Sequence, residues 1–152
     1  MHMNSATMKY LLLPAMACLL LFSAAFGQST VPQATQDAFQ QQFPAVSKVK
    51  WKESPATASG EAVYTAEYKV GQALHTASYN AAGTWLQTKS PVAYETLPEV
   101  VKANFIRNYG DFAPIGAAKV DMADGSTRYV VEVMPEGKPR ELTFTAEGAQ
   151  SR

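Results

Sequence analysis

Few residues in this chain could do chemistry, and their spacing limits what that chemistry would be. Beyond the leading stretch, His75 is the single histidine. A Ser-His-Asp arrangement would have to use it, yet no Gly-x-Ser-x-Gly turn is present to expose a nucleophile. His75 is therefore expected to be a partly buried sheet residue on the same face as Tyr79. Asp121-x-x-Asp124-Gly125 is the nearest approach to a metal site. A calcium loop needs further oxygen ligands that are missing, and an Asp-Gly hairpin turn accounts for the residues without an ion. Glu67 and Glu132 could share acid–base work only if burial raised one of them. Both sit on strand patterns opposite tyrosines, so each is expected to face solvent or a partner. These readings assign no catalytic residue, metal or cofactor, and the chain is expected not to be an enzyme.

The chain opens with an export pattern. Lys9 gives a short positive region, Tyr10 to Phe26 is almost wholly apolar, and Ala25-Phe26-Gly27 offers small residues where a signal peptidase needs them. Residues 1–27 are expected to be a cleaved signal peptide, with cleavage before Gln28, exporting the protein from a bacterial cytoplasm. A retained anchor would need roughly 17 apolar residues, but Pro14 interrupts the run and turn-prone sequence follows it. The membrane is thus met only through the precursor. Cys18, the only cysteine, could be a lipoprotein site. However, Ala15-Met16-Ala17 before it lacks the usual Leu and paired small residues. After cleavage the chain has no thiol, which excludes disulfides and cysteine chemistry. Removing Lys9 from the 13 basic residues leaves 12 against 13 acidic ones, a net charge near −1. A general nucleic-acid binder would need a basic excess on one face.

The remaining residues, 28–152, read as one domain built of two related halves, about 28–92 and 93–152. With Val31-Pro32 placed over Leu97-Pro98, Phe39 falls on Phe105 and Phe43 on Tyr109. One residue of slippage later, Tyr64 meets Tyr129, Glu67 meets Glu132, Tyr79 meets Phe144 and Gly83 meets Gly148. Each half opens with a helix signal. Thr30-Val31-Pro32-Gln33 and Thr96-Leu97-Pro98-Glu99 have capping-box spacing, with proline in the tolerant first turn. Thr35, Phe39 and Phe43 share one helix face, as do Val101, Phe105 and Tyr109. Pro44 and Gly110 end the two helices. Alternating strand patterns follow in each half, with turns at Gly71-Gln72, Ala82-Gly83, Asp124-Gly125 and Glu136-Gly137. The expected class is α+β: two tandem helix-plus-antiparallel-strand units forming one sheet, with both helices on one face.

Taken together, Val31-Pro32, Phe43-Pro44, Val49-Lys50-Trp51, Tyr64 to Tyr68 and Gly83-Thr84-Trp85-Leu86 resemble the PepSY-like proteins. The second half carries a weaker copy. That family is similar to the β-lactamase-inhibitor-protein fold and is common among secreted or periplasmic proteins of Bacteroidetes-type bacteria. The resemblance implies a fold and a periplasmic or secreted location, and no general activity.

A core of Trp51, Tyr64, Tyr68, Tyr79, Tyr129, Val131, Val133, Leu142 and Phe144 against the helices leaves the opposite face open. On that face are expected Lys48, Lys50, Lys52, Glu67, Lys69, Leu74, Trp85, Lys119, Arg128, Val130 and Glu132. A mixed-charge sheet with one tryptophan suits an interface. The expected function is a non-catalytic, inhibitor-like binding module whose partner is an unidentified protein of the envelope or the exterior. The alternative is a small-molecule or envelope-component binder with a pocket between helices and sheet.

Overall fold

The structure is a computed structural model that describes residues 31–54 and 60–151. The expected signal peptide, Lys9, Cys18 and Thr30 lie outside the described residues. Among the described residues, no helix is long and apolar enough to cross a membrane.

Helix α1 spans Gln33–Gln42 and is followed by strands β1 (Val49–Ser54), β2 (Val63–Val70), β3 (Ala73–Asn80) and β4 (Trp85–Val92). A short 3-10 turn at Tyr94–Thr96 leads into α2 (Glu99–Tyr109), then β5 (Gly116–Met122), β6 (Thr127–Val133), β7 (Arg140–Thr145) and β8 (Gln150–Ser151). The strands form one open antiparallel sheet of eight, in chain order from β1 to β8. Each strand therefore pairs with its sequence neighbours, and short turns join β2 to β3, β3 to β4 and β5 to β6. The structure is α+β, as the alternating patterns predict.

At 10 and 11 residues, both helices are too short to be stable alone. Tertiary packing holds them. Thr35 and Phe39 of α1, and Val101 and Phe105 of α2, are the buried helix residues. They repeat at i, i+4, which puts each pair on one helix face. Phe39 sits on Ala66, Tyr68, Ala77 and Tyr79, flanked by Phe43, Trp51 and Trp85. Leu97, Val101 and Phe105 sit on Ala117, Val131, Val133, Leu142 and Phe144. Thr88 pairs with Ala77 of the first cluster, and Val92, on the same face of β4, packs against the second. One sheet face thus carries both helices.

At α2 the expected capping box is not the start signal, while Thr30 of the other box lies outside the described residues. Pro32 and Pro98 occupy the N-cap positions, and neither helix has a side-chain cap. Thr96 Oγ1 instead donates to the Ala93 carbonyl at 2.7 Å, within the preceding 3-10 turn. Proline sets the start by fixing φ at −55° and −53° respectively. The predicted ends hold: Phe43, just before Pro44, caps α1 and Gly110 caps α2.

The hairpins entering β4 and β8 dock onto the helices. Gly83 and Gly148 have φ of +79° and +83°. A Cβ at Gly83 would stand 2.5 Å from the Ala34 carbonyl oxygen, and one at Gly148 would stand 2.7 Å from that of Val100. Both turns also close the same way, Gly83 N to Asn80 O at 3.1 Å and Gly148 N to Thr145 O at 2.9 Å. Thr35 Oγ1 donates to the Asn80 carbonyl at 2.8 Å, tying α1 to the first of these turns.

Tyr79 is fully buried, and its hydroxyl donates to Gln42 Oε1 at 2.7 Å. Burial, reinforced by Tyr68, pushes its phenol from 10.0 up to about 12. A folded value above the unfolded one means the contribution is complete below pH 10 and is lost as pH rises toward 12. Stability is therefore expected to fall through this alkaline window, and Tyr79→Phe to flatten that fall. Chemical denaturation at stepped pH reads both, and an unchanged slope in the variant would contradict the assignment.

Candidate functional site: a concave sheet face

The face away from the helices is bent toward itself. Lys89 on β4 pairs with Val120 on β5, whereas Glu141 on β7 aligns through Glu132 with Gly116, four positions along β5 from Val120. On a flat sheet that separation would be about 19 Å. Yet Lys89 Nζ donates to Glu141 Oε1 at 2.6 Å and to Glu132 Oε1 at 3.3 Å. Strong coiling of the sheet brings these side chains together. It also explains why Ala118, Val120 and Val130 are buried on a face that carries no helix among the described residues, with Met122 packed beside them. Gly116 leaves room for Glu132, because a Cβ there would approach Glu132 Oε2 to 3.0 Å.

Two depressions meet at Lys89. One of about 300 Å3 is lined by Leu74, Thr76, Pro91, Ala118 and Glu132, and the other, of about 170 Å3, by Gln87, Val120, Met122, Arg128, Val130 and Thr143. A third, of about 520 Å3, lies at the β1–β3 end, bordered by Val46, Lys48, Lys50, Glu67, Lys69 and Leu74. Alternation from the register places Lys50, Lys52, Glu67, Lys69, Arg128 and Glu132 on this concave face, and Lys48 borders its groove. Lys52 pairs with Glu67.

Trp85 and Lys119 correct the expectation, because both lie on the helix-bearing face. The register shifts between Ser78 and Tyr79, so that Trp85 stands opposite Tyr79 and packs into the α1 cluster. Its indole N–H donates to Thr88 Oγ1 at 2.9 Å. Lys119 is opposite Ser90 and Tyr129, and it pairs with Asp121 at 2.9 Å. Small apolar residues lie on both faces of β5, so the alternation there gave no reliable phase. That hydrogen-bonded pairing with Asp121 raises the Lys119 ammonium above its usual range.

Lys89 and Glu141 were missed by sequence reasoning, since their meeting depends on curvature. Glu132 and Glu141 are direct cross-strand partners, and like charges in that position destabilise a sheet. Lys89 offsets them. Because the carboxylates are partly exposed, Lys89→Ala is expected to cost only about 0.5–1 kcal/mol, and less in high salt. Urea titration at two ionic strengths checks this. A cost independent of salt would show that the lysine acts through packing.

His75 is structural in its contacts: it stacks on Tyr68 at 5.7 Å, and its Nδ1 lies 3.1 Å from Ser90 Oγ. At the Asp124-Gly125 turn, Asp124 Oδ1 accepts bonds from the Ser126 N–H at 2.8 Å and hydroxyl at 2.6 Å, which lowers the carboxyl below its usual range. Among the described residues, no group of three or more His, Cys, Asp or Glu could hold a metal.

An open antiparallel sheet, with helices on one face and a coiled, mixed-charge opposite face, defines the architectural class. The chain belongs to the family described as "Putative beta-lactamase-inhibitor-like, PepSY-like", whose model matches residues 62–150. Comparison with curated proteins found no match. Among solved structures, the chain is similar to a BLIP-like protein from Bacteroides fragilis NCTC 9343, at 23% identity over 83% of this chain and 86% of that one, with a TM-score of 0.62. A DUF2874 family protein from Bacteroides ovatus ATCC 8483 is 19% identical over 81% and 86%, at 0.65. A structure from Bacteroides eggerthii DSM 20697, described as "putative periplasmic proteins", is 15% identical over 81% and 87%, at 0.68. Such identities show the shared fold. The family match starts after β1, so the Lys48, Lys50 and Lys52 stripe lies outside it.

Proposed function

We propose that this chain is an exported, non-catalytic binding module that holds a protein partner against its concave sheet face. The observation that carries the reading is the coiled face over Ala118, Val120, Val130 and Met122, which no helix among the described residues covers and which Lys89, Arg128 and Glu141 border. Interfaces favour this arrangement of a desolvated centre within a polar rim. The inhibitor-like description of the family and the periplasmic description of a structural neighbour support it. The same reading includes a cleaved signal peptide over residues 1–27, a periplasmic or secreted location, and two repeats dividing near residue 92. A ligand held between helices and sheet has no such observation behind it. Phe39 makes ring contacts with Phe43, Trp51 and Tyr68 at 5.2, 5.5 and 5.3 Å, filling the space beneath α1.

The test is affinity capture from envelope and culture-supernatant extracts, using the native chain beside Thr76→Arg and Met122→Lys. Both substitutions place a cation on the concave face without touching the helix-side core. A protein retained by the native chain, lost with both variants, and protecting β4 to β6 amides from exchange would support the reading. Retention unaffected by either variant would overturn it.

A further inference from the structure

Strand β1 combines three features that the concave floor does not explain. Among the described residues it pairs on one side only, with β2, so no described strand meets the main-chain donors and acceptors of its other edge. Lys50 and Lys52 alternate onto one face, with Lys48 just before the strand, and among the described residues neither Lys48 nor Lys50 has a carboxylate within salt-bridge distance, nor does Lys69 beside them. Val49 and half-buried Trp51 occupy the other face of the same strand. Edge lysines deter indiscriminate pairing. A second copy of this chain added antiparallel to β1 would set lysine against lysine, which is unfavourable. An acidic strand would meet the opposite situation on the same edge.

We propose that β1 is the docking edge for an extended acidic segment of a protein partner. The segment adds to the sheet beside β1, with alternate Asp or Glu side chains facing Lys48, Lys50 and Lys52. Apolar residues between them lie toward Val49 and Trp51. The backbone supplies affinity and the alternating side chains supply selectivity, as in other cases of strand addition. A peptide fits better than an anionic lipid because only a peptide backbone satisfies a row of unpaired amides and carbonyls. This inference rests on the protein-binding reading above and names the kind of segment bound.

The experiment is fluorescence anisotropy of labelled heptapeptides with the purified chain. One peptide alternates Glu with Val, one alternates Lys with Val, and a third is the acidic peptide N-methylated on alternate residues. Saturable binding of the acidic peptide alone is expected. Lys48→Glu with Lys50→Glu should weaken it by about tenfold or more, through reversal of two cross-strand charge pairs. Ile106→Lys, at an exposed position of α2, should leave peptide binding unchanged, and because the peptides need only the edge, failure of the floor in the capture test and failure of the edge here are separable. Circular dichroism confirms that the exposed lysine variants remain folded. The proposal is overturned by no saturable binding, or by equal binding of the N-methylated peptide. Binding of phosphatidylglycerol vesicles with no binding of the peptides would overturn it as well, in favour of a lipid surface.

Discussion

Gly83→Ala is expected to be among the most destabilising single-methyl additions in this protein, at about 3 kcal/mol, from left-handed backbone strain plus forced movement of a packed turn. The new Cβ would lie 2.5 Å from the Ala34 carbonyl oxygen, which belongs to the main chain of α1 and cannot rotate aside. Gly125 separates the two causes. Its φ of +82° is nearly the same as the +79° of Gly83, but nothing lies within 4 Å of the position its Cβ would take. Gly125→Ala should therefore show the backbone cost alone, about 1 kcal/mol. Thermal melts should place Gly83→Ala roughly 10 °C below the native chain, and Gly125→Ala only a few degrees below. Equal losses would mean that the Gly83 turn can lift off α1 without consequence.

The second large effect is expected at Phe39, which is 2% exposed and central to the first aromatic cluster. Its ring centroid lies 5.2 to 6.4 Å from those of Phe43, Trp51, Tyr68 and Tyr79. Phe39→Ala removes the main aromatic contact between the ten-residue α1 and the sheet, and should cost about 3–5 kcal/mol. That is a large share of the roughly 5–15 kcal/mol that keeps a domain folded. Phe39→Leu keeps most of the volume and should cost less than about 1.5 kcal/mol. Urea titration followed by tryptophan fluorescence suits the site, because Trp51 and Trp85 both pack in this cluster. A small loss for the alanine variant would show that neighbouring rings close the gap.

Much of the fold was legible because the controlling signals are local. Thr35 and Phe39, like Val101 and Phe105, mark the buried helix faces by spacing alone. Asp124-Gly125 and Gly71 mark hairpins, because few residues other than glycine tolerate the φ of +82° and +62° seen there. Alternation on β2 assigned Tyr64 and Tyr68 to the core and Glu67 to the other face, since one side of that strand carries the tyrosines and the other is polar. The start of α2 departs from the capping-box expectation for a local reason too. Thr96 has the spacing of a capping residue, but Pro98 had already fixed the entry geometry, and the hydroxyl turned back to Ala93.

The candidate site was legible only where alternation stays in phase. Lys50, Lys52, Glu67, Lys69, Arg128 and Glu132 could be assigned to one face by counting along their strands. Trp85 could not, because a register shift at Ser78 and Tyr79 changes the phase of β4 relative to β3. Nor could Lys119, because β5 is apolar on both faces. The sequence by itself determined the two helices and where they end, the hairpin turns and the absence of a thiol beyond Cys18. Tertiary structure alone decided that the open face is concave, that Lys89 spans it to Glu132 and Glu141, and that Ala118, Val120 and Val130 are buried without a helix above them. Turns and periodicity depend on a few neighbouring residues, whereas sheet coiling sums the twist of every strand pair and is written at no single position.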